Sequence, residues 1–250
     1  MISGLADSVL ATFIVFCRIG GCLMLVPGFS SVNIPVQVRL FVAIVTSFAL
    51  APILLAVLKP LVTEAPPLTL AFLICTELLI GGIIGLGGRM FFLALQTMLT
   101  AMAGAIGLSS IPGTQVGDTE PAPALVPLIM AAVTTLFFLT DQHWQVLKGL
   151  MNSYEVWHPG DRLGGDMGLS HLVSRLSEAF VLTLRITSPF IVYSVIVNLS
   201  VGLINKLTPA IPVYFISVPF VMFGGFLLLY LTSDELLTQF MLGMSSWLAE

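Results

Sequence analysis

Residues 90–117 run without a single charge, and they change character half-way. The first part, MFFLALQTMLTAMAGAIGL, has the composition of a lipid-crossing helix, and the chain then dissolves into SSIPGTQVG. A membrane crossing needs about 20 apolar residues. The second part cannot continue one, because Pro removes a backbone donor and Gly costs helix stability. Irregular backbone is tolerated at membrane depth only where protein buries it or water reaches it. A long apolar helix that feeds an uncharged, helix-breaking loop is expected to line or block a passage.

Composition agrees. Hydrophobic residues make up 57% of the 250 and charged residues 9%, against about a quarter charged in soluble domains. The expectation is an integral membrane protein. Its formal net charge of −4 arises from few groups, and no basic cluster suits nucleic acid. Cys17, Cys22 and Cys75 lie in apolar runs, and read as small core residues rather than a disulfide or metal framework. The start, MISGLADSVL, has no basic segment and Arg18 interrupts the first apolar run, so no cleaved signal peptide is expected.

Apolar spans are expected at about 9–26, 38–58, 68–108, 124–140, 179–204 and 211–232. The third is too long for one perpendicular crossing. The Pro- and Gly-punctuated segments 27–35 and 59–67 read as loops. Residues 141–177, which hold all three histidines, read as one solvated excursion, partly helical around 170–177. Residues 233–250 read as a short amphipathic tail. The fold class is therefore all-α: helical hairpins with broken or kinked helices and about six spans.

Isolated charges carry the next signal. Arg18 sits near the middle of its run and Glu77 well inside the third. A charge at such depth normally faces protein or a water-filled cavity. Glu77 shares a helical face with Gly81, Gly85 and Gly88, a seam of small residues where another backbone can approach closely. Two readings stand: a structural ion pair or hydrogen-bonded anchor, and a proton or substrate relay. Arg89 and Arg185 suit span ends at the interface, and Asn205, Lys206 and Pro209 mark the turn of a hairpin between the last two spans.

Enzymatic signals are nearly absent. There is no HExxH and no GxSxG, and His143, His158 and His171 lack metal-ligand spacing. The glycine-rich IGGIIGLGGRM looks superficially like a nucleotide fingerprint, but it lies inside a span with no preceding strand, so helix packing accounts for it better. No catalysis, cofactor or metal is expected.

At this point a family likeness enters. FCRIGGCLMLVPGFSSVNIPVQVRLFVAIVTSFALAP at 16–52, ELLIGGIIGLGGRMFFLALQTMLTAMAGAIGLSS at 77–110 and ITSPFIVYSVIVNLSVGLINKLTPAIPVYFISVPFVMFGGFLLL at 186–229 resemble the FliR family of the flagellar export gate, called SctT in injectisomes. The likeness includes an Arg in the first span, an E-x-x-x-G-x-x-x-G span and a hairpin turn of the form N-[KR]-L-x-P. It covers nearly the whole chain in order.

The resemblance implies a subunit of a helical hetero-oligomeric gate in the bacterial inner membrane and flagellar basal body. Its partners there would be FliP-like and FliQ-like subunits, FlhB-like and FlhA-like export proteins, membrane lipid, and the unfolded flagellar proteins being exported. It divides the chain into a FliP-like portion at about 1–178, a FliQ-like hairpin at about 179–232 and the tail at 233–250. It also implies a plug at about 107–123, which includes Gly107, Leu108, Ser109, Ser110, Ile111, Pro112 and Gly113. Met98 and Met102, one turn apart on the helix before it, read either as a soft lining for that segment or as plain core. This chain departs from the pattern in that segment, with small and polar residues where many relatives carry bulky aromatics and an Asp-Pro. Injectisome gates share the architecture. A secondary transporter for a small solute is the alternative from another class, since broken helices and buried charges would also serve one.

Overall fold

The computed structural model describes residues 2–30, 34–63, 65–108, 123–160, 165–209 and 213–249. They form seven helices: α1 (Ile2–Leu23), α2 (Val36–Val62), α3 (Pro67–Ala105), α4 (Leu125–Leu139), α5 (Gln142–Val156), α6 (Gly165–Leu207) and α7 (Val213–Ala249). No strand occurs among the described residues. Five helices are long and apolar enough to cross a membrane, and the broken pair α4 and α5 makes a sixth candidate span. The architecture is that of an all-α membrane protein. At about 1.5 Å per residue, the 39 residues of α3 exceed the roughly 30 Å hydrocarbon layer.

The chain divides into two compact units. The first comprises Met1–Met90, Thr140–Leu176 and Leu248–Glu250. In it α2 buries Ala43, Ser47, Ala51, Leu54, Leu58 and Val62, a stripe spaced by three or four residues. That stripe packs against α1, and α1 buries Ala11, Ile14, Val15, Arg18, Ile19 and Cys22. Cys17 is buried as well, whereas Cys75 is exposed, so one of the three cysteines departs from the core expectation. α2 also carries Pro52 and Pro60 inside its length.

The second unit comprises Phe91–Leu139 and Ser177–Trp247. Aromatic rings fill its centre. Phe92 meets Phe137 edge-on with centroids 6.3 Å apart and Phe240 at 5.8 Å, and Phe91 lies 5.3 Å from Trp247. α6 and α7 are joined by the Tyr193 hydroxyl, which donates to the Val221 carbonyl at 2.9 Å. α3 stops at a left-handed glycine, Gly107 with φ 83°, a conformation that glycine adopts without penalty at a helix C-terminus.

Three stretches differ from the sequence reading. The expected loop at 59–67 is helical as far as Val62, where α2 ends, so Pro60 lies inside a helix rather than in a link. The expected solvated excursion at 141–177 contains a separate helix, α5, and α6 already begins at Gly165. The reason is periodicity: Val146, Leu150 and Tyr154 recur every four residues and are buried, so a polar composition conceals an amphipathic helix. At the other end, α7 runs unbroken from the last apolar span through most of the 233–250 tail.

α5 starts at Asp141, whose φ of 56° and ψ of 24° are left-handed. Asp tolerates this region and a β-branched residue does not. Asp141→Val is expected to lower stability by about 1–2 kcal/mol, the cost of placing a Cβ-branched L-residue there. Asp141→Gly should leave stability unchanged or raise it. Thermal unfolding of the purified chain checks both.

Candidate functional site

Arg18 and Glu77 are each fully buried in the first unit. α1 supplies the guanidinium and α3 the carboxylate. Arg18 Nε donates to Glu77 Oε2 at 2.6 Å and Arg18 Nη2 donates to Oε1 at 2.8 Å. This is the two-pronged geometry in which a planar guanidinium matches a carboxylate, with both bonds charge-assisted. Pairing inside protein is what lets two charges sit within membrane-crossing helices without facing lipid.

A third helix closes the cluster. Arg18 Nη1 donates to Ser153 Oγ at 3.1 Å, and Nη2 donates to the Trp157 carbonyl at 3.1 Å. Both acceptors belong to α5 or the residue that follows it. The Arg18 Cζ stands 3.7 Å from the centroid of the Tyr154 ring, within cation–π range. Ser153 Oγ in turn donates to the Leu150 carbonyl at 2.6 Å, which fixes the hydroxyl rotor. One guanidinium thus ties α1, α3 and α5 together, using four of its five N–H donors in these bonds.

Helix approach makes the pairing possible. A Cβ added at Gly81 would fall on the Arg18 carbonyl oxygen, and one added at Gly85 would lie 2.5 Å from the Cys22 carbonyl oxygen. From the opposite side, a Cβ at Gly21 would come within 2.8 Å of the Leu78 carbonyl oxygen. Backbones of α1 and α3 therefore touch along these glycines, as small residues permit. Gly21 contributes from α1 as fully as Gly81 and Gly85 do from α3. Gly88 is also buried.

Met102 is fully buried within the second unit, and Met98 is half-buried on the same helix. Gly107 ends α3 and Leu108 is buried beside it. Ser109, Ser110, Ile111, Pro112 and Gly113 lie outside the described residues. Asn205 and Lys206 are exposed in the last turn of α6 rather than in the link beyond it, and Pro209 is exposed just after that helix. Arg89 and Arg185 are exposed.

Sequence reasoning missed Ser153, Tyr154 and Trp157. The signal available was the four-residue spacing of Val146, Leu150 and Tyr154 within a polar stretch. Among the described residues no group of His, Cys, Asp and Glu is arranged to hold a metal ion. The arrangement is chemically that of a fastener: each Glu77 oxygen accepts from Arg18. An apolar cleft of about 400 Å³, lined by Phe16, Cys17, Gly21, Leu25, Leu78 and Gly82, runs along the same two helices.

Comparison with known proteins places the chain. The family described as bacterial export proteins, family 1, matches residues 9–246, a span that includes every residue of the Arg18 cluster. The flagellar biosynthetic protein FliR of Caulobacter vibrioides is 27% identical over 230 residues, covering 91% of this chain and 90% of that protein. The flagellar biosynthetic protein FliR of Escherichia coli K12 is 23% identical over 201 residues, covering 80% of this chain and 75% of that protein. With the family match extending through all seven helices, the chain belongs to the bacterial export proteins, family 1.

Proposed function

We propose that this chain is a membrane subunit of the flagellar protein export gate in the bacterial inner membrane, where it joins FliP-like and FliQ-like subunits in a pore for unfolded flagellar proteins. The observation that carries the reading is likeness over 90% of the length of a flagellar biosynthetic protein, which leaves little of that protein unaccounted for. On this reading residues 1–178 form the FliP-like portion and 179–232 the FliQ-like hairpin, with FlhB-like and FlhA-like proteins docking on the assembled gate.

The surface of α6 and α7 supports assembly. Val195, Leu199, Phe220, Phe223 and Tyr230 are exposed in the single chain, which suits either lipid or protein. Asn198 favours protein: it is exposed on a membrane-crossing helix, with its Nδ2 donating to Ser194 Oγ at 3.0 Å, and Gly202 one turn on has open space before it. Amide, hydroxyl and small residues on one face suit a neighbouring helix that offers hydrogen bonds and close approach. The role assigned to the Arg18 cluster is to keep α1, α3 and α5 together as the chain docks.

Affinity purification from native membranes tests the proposal. A tagged full-length chain is expected to bring down FliP-like and FliQ-like subunits in several copies. A chain ending at Arg185, which lacks most of the hairpin, is expected to lose the FliQ-like subunits. A full-length chain that emerges with no stoichiometric partner would overturn the reading.

A further inference from the structure

We propose that α5 is a latch helix: it is held against α1 and α3 by Arg18, and it is biased toward release by polar groups that its docked position leaves without partners. This is a property of the chain itself and does not depend on which complex it joins.

The two kinds of contact that Arg18 makes are unequal. Toward Glu77 on α3 it makes two charge-assisted bonds, at 2.6 and 2.8 Å, to an opposite charge. Toward α5 it offers two bonds of 3.1 Å to neutral oxygens and a stack on one ring. Bonds to a neutral hydroxyl and carbonyl are exchanged for water far more readily than a buried ion pair is broken. Leaving α5 free would thus keep the Arg18–Glu77 pair intact, so the cluster has a natural line of separation.

Docking also strains α5 electrostatically. Tyr154 is 6% exposed and its hydroxyl has no hydrogen-bond partner among the described residues. Gln142, at the start of the same helix, is 8% exposed, and its Oε1 has none either. A buried polar atom without a partner forfeits its hydration, and it regains that on exposure. Both groups therefore favour a position of α5 in which water reaches them, against the pull of Arg18.

The ends of α5 are built to turn. Asp141 before it and Gly160 after it, at φ 56° and 93°, are both left-handed, and a Cβ added at Gly160 would meet only the tip of Leu61, at 4.0 Å. Hinges are a few terminal residues that absorb a backbone rotation. The outer face is already in contact with solvent or lipid, since Trp144 and Val156 are 55% and 69% exposed. Only one face of α5 has to come away.

Hydrogen–deuterium exchange of the full-length chain in lipid nanodiscs tests the latch, because local opening is read directly in amide exchange. Amides of 146–154 are expected to exchange faster than those of 11–22 in α1. Ser153→Ala, which removes one of Arg18's bonds to α5, should accelerate exchange in α5 by about tenfold and leave α1 unchanged. Tyr154→Phe keeps the ring over Arg18 and removes the orphan hydroxyl, so it should slow α5 exchange by a similar factor of about ten. The proposal is overturned if α5 and α1 exchange at one common rate, if Ser153→Ala speeds both together, or if Tyr154→Phe leaves α5 exchange unchanged or faster.

Discussion

Glu77→Leu, with Arg18 left in place, is expected to lower the stability of the fold by about 3–5 kcal/mol, the typical cost of stranding one member of a buried ion pair. Both side chains are fully buried, so the lone guanidinium would have neither water nor a counter-charge. Against a total stability of roughly 5–15 kcal/mol, such a loss should sharply reduce the amount of chain recovered from membranes. Arg18→Lys should fall between, because an ammonium cannot reproduce the two-pronged bond to Glu77 while also reaching Ser153 and the Trp157 carbonyl.

The double variant Arg18→Met with Glu77→Leu separates pairing from mere burial. Apolar side chains of similar volume often replace a buried ion pair without loss. The double variant should therefore be markedly more stable than Glu77→Leu alone. Thermal unfolding and membrane yield of the three variants are the measurements. Equal stability of wild type and Glu77→Leu would remove the fastener role from the pair.

Gly81→Ala and Gly82→Ala, one residue apart, should behave oppositely. A methyl at Gly81 would fall on the Arg18 carbonyl oxygen, which is backbone and cannot rotate away. The helices must separate, at a cost of about 1–3 kcal/mol for overpacking. A methyl at Gly82 meets only Leu25 Cδ1 at 4.0 Å. There the substitution should be neutral, or stabilising by about 0.5–1 kcal/mol, because Ala is the better helix former. Gly81→Ala would also pull Arg18 from Glu77, so its cost should not add to that of Glu77→Leu. Thermal unfolding of both single variants and the Gly81→Ala, Glu77→Leu combination decides the matter. Equal effects at the two glycines would mean that α1 and α3 are not in backbone contact.

Much of this organisation follows from local rules. Apolar run lengths alone require membrane-crossing helices, because lipid leaves the backbone no other way to satisfy its hydrogen bonds. Residue depth requires that Arg18 and Glu77 face protein or water, and the spacing of Gly81, Gly85 and Gly88 beside Glu77 marks a close helix contact on that face. None of these inferences needs a second segment of chain. The family likeness adds order along the chain, but it leaves open which side chains meet.

Pairing is a different kind of information. Arg18 and Glu77 are 59 residues apart, and Arg18 reaches Trp157 across 139. A depth argument says that each charge needs a partner, while the choice among the polar groups on all the other helices depends on how those helices pack. Ser153, Tyr154 and Trp157 were hidden for the same reason. In sequence they sit in a stretch whose charges and histidines look solvated, and only the burial of one face of α5 makes them neighbours of a guanidinium. The glycine contact was half legible: α3 displays its seam, but Gly21 on α1 declares its part only when the carbonyl of Leu78 is seen against it. Composition and period are properties of one segment and can be read there. The partner of a buried charge is a property of packing, and the tertiary structure alone decides it.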